Sequence, residues 1–227
     1  MKKPYHETFA IKPTMLGAGL TLLVGLPFAF ANRAFGNPTP KFAYVANFFS
    51  GTVSIFKIDQ CSGSLWASSN SVPTGGGSAI SLGLDPHGRY LYVVNTASDN
   101  VSAFAVGSDG GLTAVPGSPF ASGDFTQGLA FDPSGDFVYV SQGSNVLGYS
   151  IGAGGALVPL ASSPYAAPGF LVSLTTDRSG RYVYGGAGPV GIAAFRIDAA
   201  TGNLTAVTGS PFSAGANAVF VATTMER

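Results

Sequence analysis

Three observations predict an all-β chain built as a β-propeller of about four four-stranded blades. An aromatic, β-branched run centred on a tyrosine recurs at Tyr44, Tyr92, Tyr139 and Tyr184, 45 to 48 residues apart. An Asp-to-Gly turn precedes the last three runs: Asp85-Pro86-His87-Gly88, Asp132-Pro133-Ser134-Gly135 and Asp177-Arg178-Ser179-Gly180. The runs are also apolar at nearly every position, as Tyr90 to Val94 shows, so both faces of each sheet have to be covered. Blades packed around an axis meet that demand, whereas a sandwich would show alternation and an α/β barrel would need helices.

Taken in chain order, the N-terminus reads as an export signal. Lys2, Lys3 and Lys12 precede an uncharged, largely apolar stretch from Pro13 to Ala31 that ends in Ala29-Phe30-Ala31, the basic, apolar and small-residue parts of a secretory leader. Cleavage after Ala31 is the expectation, giving a periplasmic or extracellular protein; an uncleaved anchor is the alternative, weakened by Gly17, Gly19, Gly25 and Pro27. Residues 32–40 read as a linker and 41–227 as the repeat domain, with repeats near 41–88, 89–135, 136–180 and 181–227.

Each repeat is four short strands. Asp presets a type I turn by accepting from the backbone, Pro fixes φ and Gly takes the last position, so the turn joins a first strand to the Tyr-centred second. Ten to twelve residues after each tyrosine comes a third strand around Phe56, Phe104, Tyr149 or Phe195. A Gly-containing turn leads to a fourth, followed by Gly117-Ser118-Pro119-Phe120, Ser162-Ser163-Pro164-Tyr165 or Gly209-Ser210-Pro211-Phe212. The first repeat lacks its first strand, while the terminal run Ala218 to Ala222 aligns with first strands. Pairing between them would close a ring of four blades; a half-ring completed by a homodimer of eight blades is the other arrangement the pattern allows.

Composition narrows the function classes. Charged residues are only 10% of the chain, Lys plus Arg and Asp plus Glu are 11 each, and no basic stripe exists to track a phosphate backbone, so nucleic acid is not an expected partner. Hydrophobic content of 46% excludes disorder. The single Cys61 cannot make an intramolecular disulfide and reads as a small, partly buried turn residue. No cofactor and no metal site is predicted: Asp99-Asn100 and Asp109-Gly110-Gly111 offer too few oxygens for Ca²⁺, and Gly75-Gly76-Gly77 lacks the Lys of a phosphate loop.

Tyr44-Val45-Ala46-Asn47, Tyr92-Val93-Val94-Asn95, the string from Asp85 to Val93 and the Gly-Ser-Pro-Phe repeats resemble the YVTN-type β-propellers of the bacterial lactonase (6-phosphogluconolactonase-like) family. The resemblance spans about residues 41–222 and implies a propeller, normally of seven blades, with His, Arg and acidic groups around one mouth of the channel. That family's Pro-His-x-His string has no counterpart at the first-strand entries, which read Gly77-Ser78-Ala79-Ile80, Phe125-Thr126-Gln127-Gly128, Gly169-Phe170-Leu171-Val172 and Ala216-Asn217-Ala218-Val219.

Two sets of candidate residues follow. His87, between Asp85 and Arg89, is the one imidazole after the leader and supplies a base, an orienting carboxylate and a cation for lactone hydrolysis, although the other copies carry Ser134 and Ser179 at its position. Ser78, Gln127 and Asn217 enter first strands, which face the channel, and Asn47 and Asn95 end second strands; these neutral side chains suit a sugar or peptide. The expected role is a ligand- or protein-binding module with a glycan, sugar lactone or protein partner, and the alternative is a hydrolase of sugar lactones.

Overall fold

The computed structural model describes residues 41–68, 71–215 and 217–224. The predicted leader and linker lie outside them. Pro38–Arg227 form one compact unit. Its first sheet holds β1 (Lys41–Asn47), β2 (Thr52–Ile58), β3 (Leu65–Ala67) and β4 (Val72–Pro73). The second holds β5 (Ala79–Leu84), β6 (Tyr90–Asn95), β7 (Asn100–Val106), β8 (Leu112–Ala114) and β9 (Phe120–Ala121). β10 (Thr126–Phe131), β11 (Phe137–Gln142), β12 (Asn145–Ile151), β13 (Leu157–Pro159) and β14 (Tyr165–Ala166) form the third. The fourth comprises β15 (Ser173–Thr176), β16 (Tyr182–Gly186), β17 (Ile192–Ile197) and β18 (Leu204–Ala206). All pairings are antiparallel, inner strand to outer in chain order, as the repeat predicts.

The motifs have concrete jobs. Asp85 Oδ1 accepts the amides of Arg89 and Tyr90, and Asp177 Oδ1 those of Arg181 and Tyr182, so each carboxylate ties the turn to the start of the second strand. Asp132 repeats this with Phe137. The Gly-Ser-Pro motif splits the outer strand: β8 pairs with Phe104–Val106 of β7 and β9 with Asn100 and Val101, leaving Ala103 between them. Ser118 Oγ accepts the stranded Ala103 amide at 2.9 Å, and Ser163 and Ser210 do the same for Gly148 and Ala194, at 3.0 Å each. A buried amide left unpaired would cost about 1–3 kcal/mol, which accounts for Ser at this point in the second, third and fourth sheets.

The apolar core lies between blades rather than within them. One cluster joins Tyr92, Val94 and Val101 of the second sheet to Val138, Val140 and Tyr149 of the third, and equivalent clusters join the first to the second and the third to the fourth. Both faces of an inner hairpin are therefore buried, and the strands lose their alternation.

A polar latch accompanies each core. Tyr44, Tyr92 and Tyr139 donate their hydroxyls to the carbonyls of Gly110, Gly155 and Gly202, at 2.9, 2.8 and 2.8 Å, each glycine belonging to the turn between the third and outer strands of the next blade. Those glycines hold φ of +80°, +85° and +72°, and a Cβ on any of them would run into the ring of Phe42, Tyr90 or Phe137 respectively. Burial pushes the Tyr92 and Tyr139 phenols far above their ordinary range, with Asp85 and Asp132 adding to it.

Two expectations are corrected. The terminal run does not close a four-blade ring: Ala218 exchanges backbone hydrogen bonds with Gly188, Ser173 Oγ donates to the Val219 carbonyl, and Thr223 Oγ1 donates to that of Thr176. Thr176 Oγ1 makes the same bond to Phe131 of β10, so the run lies beside β15 as β15 lies beside β10, in the place of a following blade's inner strand. Among the described residues nothing pairs with the inner edge of β1. Latch and core fix the step between blades, and four such steps do not return to the start. The second correction is Cys61, which is exposed because its turn projects beyond β2 and β3.

Candidate functional site

The two predicted residue sets occupy opposite ends of the inner strands. Antiparallel register places Ala79 opposite Asn95 and Leu84 opposite Leu91, so Ser78, Gln127, Asn217, Asn47 and Asn95 gather at the strand-entry end and Asp85, His87 and Arg89 at the other. From Ile80 to Leu84 alone the separation is about 13 Å at ~3.3 Å per residue.

The turn set is assembled but structurally engaged. The Asp85 side chain is fully buried; besides the two amides it accepts from Arg89 Nε at 3.1 Å, and His87 Nδ1 stands 3.7 Å from its Oδ2. His87 and Arg89 are about half exposed, 3.4 Å apart, and Arg89 also lies over the Tyr90 ring. The His87 ring and Pro86 pack on Gly135, the last residue of the next blade's turn, as the Pro86 counterpart Pro133 packs on Gly180. His87 does border a groove of 530 Å³ between the first two sheets, with Phe42, Tyr44 and Leu84. In the turn of the fourth sheet, burial raises the pKa of Asp177, and hydrogen bonds from Ser179, Tyr182 and Arg181 outweigh this and leave it lowered.

At the entry end a cavity of 320 Å³ opens between β5, β10 and β15. Its polar side chains are Ser81, Gln127 and Ser173, its apolar ones include Ile80, Leu129 and Phe220, and among the described residues no ionisable side chain lines it. Beside it Phe125 and Phe170 meet edge to face with ring centroids 6.1 Å apart, and both are exposed. Phe125 has φ +60° and Ser78 φ +57°, the left-handed region that costs a non-glycine residue on the order of 1–3 kcal/mol. Such strain, in two successive strand entries, marks this end of the sheets.

Of the predicted ligand contacts, only Gln127 lines the cavity. Ser78 stays in the loop, where its carbonyl accepts from Thr96, and Asn217 sits exposed against Gly188. Asn47 donates to Thr52 and Ser54 across its hairpin. Asn95 is a correction: it is completely buried, its amide donating to Asn100 and Ser102, out of reach of any ligand. Both asparagines brace the hairpin that follows them. Ser81 and Ser173 were missed because the pattern of entry residues was read one position out of step. Register equates Ala79 with Thr126, which makes Ser78 the counterpart of Phe125 and Gln127 that of Ile80.

The Lactonase, 7-bladed beta-propeller family matches residues 34–173, more than half of the sequence. The chain belongs to this family. No curated protein matches it in sequence. Among solved structures it is similar to a candidate 6-phosphogluconolactonase from Bacteroides uniformis, with TM-score 0.65, 17% identity, and 78% of this chain covering 56% of that one. The periplasmic gluconolactonase PpgL of Pseudomonas aeruginosa gives TM-score 0.61 at 21% identity, over 74% and 53%. A protein from Lactobacillus plantarum gives 0.61 at 21%, over 78% and 54%. At these identities the likeness shows the shared fold, and this lactonase-family chain spans about half the length of the structures it matches.

Proposed function

We propose that this lactonase-family propeller binds a neutral, polyhydroxylated ligand of sugar or sugar-lactone size at the inner-strand cavity, and that it does so outside the cytoplasm after export by its N-terminal segment. The observation that carries the reading is the lining: two hydroxyls and one amide among apolar side chains, with no charge, beside exposed aromatic rings. A pocket of about 300–1,000 Å³ with a few placed polar groups is the usual form of a small-molecule site. Hydroxyl and amide groups exchange hydrogen bonds with sugar hydroxyls in both directions, and an apolar wall with aromatic edges fits the C–H faces of a pyranose.

Hydrolysis of a sugar lactone is the second reading, favoured by family membership. It would place the lactone in the groove beside Phe42 and Tyr44, with His87 taking a proton from the attacking water while Asp85 orients the imidazole. The test is one experiment with two arms. Calorimetric titration with aldonolactones and neutral oligosaccharides should give binding that Gln127→Ala weakens at least fivefold and His87→Ala leaves unchanged. Lactone turnover that disappears in His87→Ala and survives Gln127→Ala would replace the binding reading with the hydrolase.

A further inference from the structure

Phe125 and Phe170 stand where the core cannot use them. They occupy one position of the repeat, ahead of the inner strands of the third and fourth sheets, where the second sheet carries Ser78. Phe125 is 64% exposed and Phe170 44%, so much of both rings stays in water and adds little to the fold. Phe125 also carries a φ of +60°, a left-handed conformation that suits Gly or Asn and disfavours a bulky side chain.

Hydrogen bonds fix both loops all the same. Thr126 is fully buried, donates its hydroxyl to the Gly123 carbonyl at 2.7 Å and meets Ser122 Oγ at 2.9 Å, while the Ser122 amide donates to the Asp99 carbonyl at 2.9 Å. Gly143, in the hairpin turn between β11 and β12, serves both loops. Its N–H donates to the Phe125 carbonyl at 3.1 Å, and its carbonyl accepts the amide of the fully buried Leu171 at 2.8 Å. The rings therefore meet edge to face on a framework that is set in advance. Strain and exposure of this kind persist where the surroundings hold them, and they mark contact sites.

The cavity begins beside these rings. Gln127, two residues after Phe125, and Val172, two after Phe170, both line it, and two residues span about 7 Å at ~3.3 Å each. Charge is arranged one way. Every Lys and Arg among the described residues (Lys41, Lys57, Arg89, Arg178, Arg181 and Arg196) lies with His87 at the opposite, Asp-turn end of the sheets. The charged side chains described at the entry end are Asp99 and Asp124, the latter adjacent to Phe125. An anionic ligand would meet carboxylates there and no cation, whereas a neutral one meets no such repulsion.

We propose that Phe125 and Phe170 form a second subsite beside the cavity, and that the ligand is a neutral oligosaccharide with one unit in the cavity and the next against the two rings. The inference rests on the cavity reading above and adds to it the length and charge of the ligand. A glycan chain suits both places because each unit offers hydroxyls to Ser81, Gln127 and Ser173 and C–H faces to the aromatic pair. An apolar peptide would match the rings and leave the cavity's hydroxyl and amide groups without partners.

The test is calorimetric titration of the purified full chain with maltotriose, cellotriose and xylotriose, each beside its monosaccharide, and with trigalacturonate as the anionic counterpart. At least one neutral trisaccharide should bind about tenfold tighter than its monosaccharide, and trigalacturonate at least about tenfold more weakly than that trisaccharide. Phe125→Asn should cut the trisaccharide's advantage below about threefold, leave the monosaccharide within about twofold, and leave Tm unchanged or raised, since asparagine tolerates the left-handed φ. A merely structural phenylalanine would lose stability instead. Phe170→Ala should give the same split in affinity, and Gln127→Ala should weaken both sugars. Trisaccharides that bind no tighter than their monosaccharides, an advantage that survives both ring variants, or a preference for trigalacturonate overturns the second subsite and leaves the cavity reading standing. Binding of none of the sugars overturns the cavity reading, and the proposal with it.

Discussion

Tyr139→Phe isolates the latch, because it removes one oxygen and leaves the ring in its packing. Tyr139 is fully buried, and its hydroxyl donates at 2.8 Å to the carbonyl of Gly202, itself a buried residue. The hydrogen bond has a net value of about 0.5–1.5 kcal/mol, and leaving the carbonyl buried without that donor costs a further ~1–3 kcal/mol before relaxation. The expected loss is therefore about 1.5–3 kcal/mol, or roughly 3–12 °C in Tm at ~2–4 °C per kcal/mol for a domain of this size. Tyr184→Phe removes the same oxygen from the same position in the repeat, where among the described residues no carbonyl receives it, and should cost under ~0.5 kcal/mol. Both are best measured by urea denaturation, with the far-ultraviolet signal as readout. Equal losses for the two variants would refute the reasoning, since the hydroxyl would then matter through something other than the carbonyl it meets.

Asp85→Ala should destabilise by about 2–3 kcal/mol, since it strips a charged acceptor from two backbone amides, and should leave ligand affinity unchanged; a stability change under 0.5 kcal/mol in thermal melts would show that the turn holds without it. Burial raises the phenol pKa values of Tyr92 and Tyr139, and pushes that of Tyr149 up to about 12. The folded state thus holds these protons more tightly than the unfolded one, so their contribution is complete below about pH 10 and is lost as pH rises through the folded values. Tyrosinate absorbance and Tm followed together from about pH 9 to 12 should change in one step. Asp59 and Asp198 are lowered, chiefly by amides of Ser62 and Ala200, as is Asp177, where hydrogen bonds overcome burial. Their contribution is present above the ordinary value of 3.8 and disappears as pH falls below it, which acid titration of Tm checks.

Fold and site were unequally legible in the sequence. The Tyr-centred strands, the Asp turns and the strand count follow from residues that repeat, and each repeats because it meets a local need: Asp85 for two amides, Ser118 for a stranded one, Tyr92 for a carbonyl in the next blade. What failed was whatever depends on the angle between blades. Ring closure by Ala218 to Ala222 was a correct alignment with first strands joined to a wrong neighbour, because the step from blade to blade is set by packing at Gly110, Gly155 and Gly202 and has no one-dimensional signature. The site fell between these cases. Gln127 was found as a polar residue entering an inner strand, but one residue of slip at the bulge between Ala79 and Ser81 hid Ser81 and promoted Ser78, since side chains change face at every residue.

In a chain built this way the residues that recur are those that make the blades and join them, so recurrence is evidence against a residue's belonging to a unique site. Asn47 and Asn95 recur and brace hairpins; Asp85 recurs as Asp132 and Asp177 and ties turns. The cavity lies where the repeat breaks, at positions that read Ile80, Gln127 and Val172 in successive blades, and only the register of the sheets brings them to one surface.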